Sequence, residues 1–105
     1  MKSFKKKLNC LSAIPAVSGV TLNLCTGTEK RKKLLINKYG IGMESMEGAA
    51  FFHACAMVKI PALQIRSVSN KTGKRERNKW KITEALDALQ GFTGLLMMEL
   101  ETINL

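Results

Sequence analysis

The sequence predicts an α/β fold, with helices and strands alternating along 105 residues around a largely parallel sheet. Apolar runs with strand spacing alternate with helix-like stretches in the order α, β, α, β, α, β, α. Glycine, threonine and proline fall where turns and caps belong between them. One stretch, 47–58, is apolar almost all round, which calls for burial on most sides. The composition, 46% apolar and 24% charged, is globular. One domain is the natural prior, at roughly 100–200 residues per domain.

Residues 1–9 read as the end of a basic helix. Residues 17–25 read as a half-buried strand, with Val20, Leu22 and Leu24 alternating with Thr21 and Asn23. Thr26-Gly27-Thr28 turns the chain and offers Thr28 as a helix N-cap. Residues 29–39 form a short basic helix with Leu34, Leu35 and Tyr39 inward, and Gly40 stands where a helix-ending glycine belongs. Residues 41–45 are a second strand. The apolar helix 47–58 follows and includes Phe51, Phe52, Ala54, Cys55, Met57 and Val58. His53 within it reads as a satisfied buried histidine and Cys55 as core packing. Pro61 closes the next turn, residues 62–69 are a third strand, and a polar basic loop covers 70–80. Residues 82–103 form a long amphipathic helix with Ile82, Leu86, Leu89, Leu96, Leu100 and Ile103 in one stripe. Gly91 and Gly94 weaken it by about 1 kcal/mol each.

The net charge is +9 and unevenly spread. Residues 1–9 carry +4, 29–38 carry +4 and 71–81 carry +5, while 82–105 carry −4. Such patches suit a nucleic-acid partner. Phe4 and Trp80 are the aromatics interleaved with them, and no nucleic-acid-binding motif accompanies them, so solvated helix faces and a basic loop explain the charge better. No apolar run approaches the roughly 18 residues that cross a bilayer. Lys2, Lys5, Lys6 and Lys7 would suit the start of a secretory leader, but Asn9, Ser12 and Pro15 interrupt its apolar part. Cys10, Cys25 and Cys55 are too few and too widely spaced for a zinc site or a disulfide framework, and they read as reduced thiols of a cytoplasmic protein. No phosphate-binding loop, dinucleotide fingerprint or nucleophile elbow occurs.

Ligands on parallel sheets bind beyond the carboxyl ends of the strands. Here those ends are Thr26-Gly27, Met46-Glu47 and Ser69-Asn70. Glu47 opens the apolar helix, where the helix dipole favours a carboxylate. A carboxylate accepts hydrogen bonds through two oxygens, which suits the paired hydroxyls of a ribose. Gly48, Ala49 and Ala50 permit close approach. On these grounds alone, a plain helix-start acid accounts for Glu47 better than a ribose-holding group does.

The run Glu44-Ser45-Met46-Glu47-Gly48-Ala49-Ala50-Phe51-Phe52, then Ile60-Pro61, then Gln64-Ile65-Arg66-Ser67-Val68-Ser69-Asn70, resembles the nucleoside phosphorylase and nucleosidase superfamily. The methylthioadenosine/S-adenosylhomocysteine nucleosidases share this layout without gaps from Met46 to position 70. A more specific likeness is to the futalosine hydrolases, nucleosidases of the alternative menaquinone pathway, and it extends through Lys74-Arg75-Glu76-Arg77, Trp80 and Lys81. The resemblance implies that Met46 packs against the ribose, Glu47 holds its hydroxyls, and Ser69 joins them in binding substrate. It places Asn70 at the purine near N7, as the residue acting on the leaving base. The adenine-releasing nucleosidases carry an aspartate there, which assists protonation of N7. An asparagine cannot act as that acid. It can donate to O6 of a 6-oxopurine and accept from protonated N7. Hypoxanthine, leaving from futalosine, fits this pattern and adenine does not.

The resemblance covers 41–90 strongly and 14–40 more weakly. It implies the C-terminal half of a nucleosidase-type mixed-sheet fold, incomplete as it stands, with 1–13 as a basic helical segment and 14–105 as part of the nucleosidase domain. The glutamate that activates the attacking water lies near the N-terminus of full-length family members, and Glu29 and Glu44 are wrongly placed to replace it. No metal and no organic cofactor are implied. Several readings stay open: a truncated nucleosidase (of futalosine or of methylthioadenosine), a subunit needing a complementing N-terminal chain, with or without homo-oligomers, and a small basic nucleic-acid-binding protein.

Overall fold

The computed structural model describes residues 8–103. Most of the basic segment expected over 1–9 lies outside them. The described chain divides into two compact units.

The first unit comprises residues 8–16, 65–69 and 81–103. Helix α1, Asn9–Ser12, packs on the long helix α4, Ile82–Glu101. Leu8 and Leu11 are buried at 3% exposure each. Both carboxylate oxygens of Glu99 accept the Cys10 backbone N–H at 3.1 Å, so α4 satisfies an N-terminal amide of α1. Desolvation, and then the Glu99 carboxylate, push the Cys10 thiol above its ordinary value. The covered face of α4 runs through Ala85, Leu89, Phe92, Leu96 and Leu100. This corrects the expected stripe: Ile82 and Leu86 are exposed, and Ala85 and Phe92 take their place. Helical period fixes which residues share a face, but a neighbour decides which face is covered.

The second unit comprises Val17–Gln64 and Asn70–Trp80. Strand β1, Gly19–Thr21, is followed by helix α2, Glu29–Tyr39, strand β2, Met43–Ser45, and helix α3, Gly48–Met57. β1 and β2 pair in parallel, with Gly19, Val20 and Thr21 opposite Met43, Glu44 and Ser45. Parallel neighbours need a crossover, and α2 supplies it. Both predicted ends of α2 are found. Thr28 Oγ1 accepts the Arg31 N–H at 3.2 Å, and Gly40 adopts the left-handed conformation at φ 59°. Leu35 is the buried residue of α2, whereas Leu34 and Tyr39 are both 56% exposed, against expectation. A 3-10 turn, Arg77–Lys79, interrupts the basic loop, where Glu76 bridges Lys79 at 2.8 Å and the Arg77 guanidinium lies 5.9 Å from the Trp80 ring.

Two expectations are corrected. Residues 62–69 are not a third strand: the sheet among the described residues has two strands, β1 and β2. Alternating side chains qualify a segment for a strand, but a ladder needs a neighbouring edge in register. Nor is α3 buried on most sides. It packs on β1 and buries Gly48, yet Phe51, Phe52 and Met57 are 45%, 46% and 71% exposed, and His53 is exposed too. Phe51 and Phe52 instead meet edge to face at 5.6 Å. An apolar helix is covered only where other elements reach it.

Candidate active site

Parallel pairing brings the carboxyl ends of β1 and β2 to the same edge of the sheet. Several polar contacts of the second unit gather there. The Leu22 N–H donates to the Ser45 carbonyl at 2.9 Å, extending the ladder past β1. Glu44 Oε1 accepts the Thr26 N–H at 2.7 Å. The N-terminus of α3 meets two hydroxyls: Ser45 Oγ accepts the Gly48 N–H at 3.2 Å, and Thr21 Oγ1 accepts the Ala49 N–H at 2.8 Å. Gln64 Nε2 donates to the Gly48 carbonyl at 2.9 Å.

Met46 and Glu47 form the turn between β2 and α3. Met46 is 51% exposed, and Glu47 is exposed as the N-cap residue of α3. The Glu47 carbonyl accepts the Phe51 N–H at 3.2 Å, while its carboxylate does not cap the helix. The exposed turn thus carries a thioether and a carboxylate at consecutive positions.

Asn70 belongs to the same unit, is half-buried, and donates from Nδ2 to the Lys71 carbonyl at 3.2 Å. Ser69 falls in the first unit, where its carbonyl accepts the Lys81 N–H at 2.7 Å and anchors the start of α4. Met46, Glu47 and Asn70 thus share one unit and Ser69 does not.

Sequence reasoning missed Thr21, which it placed on the polar face of a strand. No local pattern marks its role, because its partner lies 28 residues away. Ser45 did carry a local signal: a hydroxyl three residues before the Gly48 amide it accepts.

The sequence that builds β1–α2–β2–α3 matches a known family. The profile of the Phosphorylase superfamily fits residues 10–96, and the chain belongs to that superfamily. Among its curated relatives are futalosine hydrolases. That of Thermus thermophilus is 35% identical over 81 residues, covering 77% of this chain and 36% of the relative. That of Streptomyces coelicolor is 40% identical over 84 residues, covering 79% and 36% respectively. That of Acidothermus cellulolyticus is 35% identical over 78 residues, covering 72% and 32%. The chain therefore spans about a third of the length of the curated relatives it matches, consistent with an incomplete fold. No solved structure gives a significant match. Among the described residues, no helix is long and apolar enough to cross a membrane.

Proposed function

We propose that these residues carry the nucleoside-holding part of a cytoplasmic N-glycosidic hydrolase that converts futalosine to hypoxanthine and dehypoxanthine futalosine in menaquinone biosynthesis. The observation that carries this reading is the Met46-Glu47 turn, exposed at the joined ends of two parallel strands, in a chain 35–40% identical to futalosine hydrolases. Asn70 in the same unit supports the choice of base.

Hydrolysis breaks the bond between the anomeric carbon and N9. The bonding electrons leave with the base, and a water oxygen joins the carbon. Glu47 orients the ribose by accepting from its hydroxyls, and Met46 packs on the sugar. The departing base takes a proton at N7 from solvent, balancing the one that the attacking water gives up. Asn70 accepts from that N7–H and donates to O6, exchanging its exposed bond to the Lys71 carbonyl for one to the base. By the family resemblance, a glutamate outside these 105 residues activates the water.

The test is hypoxanthine release from futalosine, with methylthioadenosine as control substrate. The chain is assayed alone and together with the N-terminal two thirds of a futalosine hydrolase relative. Release from futalosine in the mixture supports the reading. Adenine release from methylthioadenosine instead contradicts the choice of base. No release from the mixture contradicts the hydrolase reading.

A further inference from the structure

Glu47 sits in a turn only two residues long. Met46 and Glu47 join Ser45, the last residue of β2, to Gly48, the first of α3. Two hydroxyls hold the helix side of that turn, Ser45 Oγ on the Gly48 N–H and Thr21 Oγ1 on the Ala49 N–H. Thr21 and Ser45 are register partners in the parallel ladder. Paired residues send their side chains to the same face of a sheet at the same level. The ladder itself therefore delivers both hydroxyls to one helix end.

An N-cap side chain ordinarily accepts from the second or third amide of its helix. Glu47 is the N-cap residue of α3 but does not use its side chain that way. Thr21 does so from another strand. A one-residue slip of β1 would set Val20 or Leu22 opposite Ser45 and remove the hydroxyl. Gly48 completes the fit: a Cβ there would lie 2.8 Å from Ser45 Oγ and 3.5 Å from Thr21 Oγ1.

We propose that Thr21 is a positioning residue for Glu47: its hydroxyl fixes the first turn of α3 and so sets the direction in which the Glu47 carboxylate meets the ribose of a nucleoside, resting on the reading of Glu47 as the ribose-holding group. Thr21 touches no substrate atom in this role. It acts through the Ala49 amide.

The experiment compares Thr21→Val and Thr21→Ser in the full chain. Valine keeps the branched shape that suits a strand and loses the oxygen, while serine keeps the oxygen. The readouts are hydrogen exchange at the Ala49 amide, the amide resonances of Met46 and Glu47, and affinity for inosine. Thr21→Val is expected to speed Ala49 exchange about tenfold, move the Met46 and Glu47 resonances, and weaken inosine binding about tenfold, equivalent to about 1.4 kcal/mol. Thr21→Ser is expected to restore all three. Unchanged Ala49 exchange in Thr21→Val overturns the proposal, as does lost affinity with Ala49 still protected. If the valine variant does not fold, Thr21→Ala against Thr21→Ser makes the same comparison. If the unaltered chain binds no inosine, the ribose reading of Glu47 fails, while exchange at Ala49 and the Glu47 resonance still decide whether Thr21 sets the turn.

Discussion

The Glu44 carboxylate accepts the Thr26 backbone N–H at 2.7 Å, tying a residue of β2 to the segment that leaves β1. Thr26 is buried at 5% exposure and Glu44 is half-buried. A hydrogen bond to a charged group in such surroundings contributes about 1.5–3 kcal/mol. Glu44 therefore holds the strand-end loop in place. Glu44→Ala is expected to lower unfolding stability by about 1–3 kcal/mol in urea, because the Thr26 amide loses its acceptor. Glu44→Gln keeps an acceptor oxygen and loses less. An alanine variant as stable as the parent would contradict this account of the pair.

Gly48→Ala sets two effects against each other. Alanine is the better helix former, by about 0.8–1 kcal/mol. Against that, its Cβ meets Ser45 Oγ at 2.8 Å and Gln64 Oε1 at 3.3 Å, both on side chains that serve the N-terminus of α3. Overpacking costs about 1–3 kcal/mol, so the crowding wins. The variant should unfold at lower urea concentration, and a higher midpoint would show that the cradle yields.

Lys59, just past α3, adopts the left-handed conformation at φ 57°. Its N–H donates to the Ala56 carbonyl at 3.1 Å and the next, Ile60, to Cys55 at 2.9 Å, closing the helix end. Left-handed backbone costs an ordinary L-residue about 1–2 kcal/mol, and glycine avoids that cost while losing some unfolded-state entropy. Lys59→Gly is expected to raise stability by up to about 1 kcal/mol. Thermal unfolding checks it, and a lower melting temperature would refute the strain.

Glu76 and Lys79 form an exposed pair at 2.8 Å. The Lys79 ammonium, by hydrogen bond and charge, holds the Glu76 carboxyl below its ordinary value, and Glu76 holds Lys79 above its own. The Glu76 contribution is present above its unfolded-state value and is lost as pH falls through the lowered folded value. The Lys79 contribution is present below its unfolded-state value and is lost as pH rises through the raised folded value. Solvent screening keeps the effect on stability small. Lys79→Ala should move the Glu76 titration upward in a carboxyl-carbon NMR experiment; an unmoved titration would refute the coupling.

Asn70→Asp exchanges a group that donates and accepts for one that, when ionised, only accepts. The 6-oxo group then loses its donor. The variant is expected to bind inosine about tenfold more weakly, the consequence of one unpaired buried polar group. Equal affinity by titration calorimetry would remove Asn70 from the base site.

Local chemistry in this chain was readable and distant pairing was not. Thr28 and Gly40 cap α2 as their side-chain oxygen and missing Cβ predict, because a cap needs only neighbours in sequence. The turn at Met46-Glu47 is also where a strand ending and an apolar helix beginning place it. Residues 62–69 have strand-like side chains, but pairing depends on an edge that their own sequence does not describe. Thr21 and Glu99 act as acceptors for helix amides 28 and 89 residues away, which no spacing rule marks. The exposure of Phe51 and Phe52 has the same origin: apolar periodicity states what a helix needs, and the rest of the chain decides what it receives.

The most direct measurement is a titration of the chain with inosine and, separately, with methylthioadenosine, following the amide resonances of Met46, Glu47 and Asn70. Saturable shifts at all three with inosine, weaker with methylthioadenosine and reversed in preference by Asn70→Asp, are the expected result. Shifts that do not saturate, that leave Glu47 and Asn70 unmoved, or that are equal for the two nucleosides would contradict the assignment of a 6-oxopurine nucleoside site.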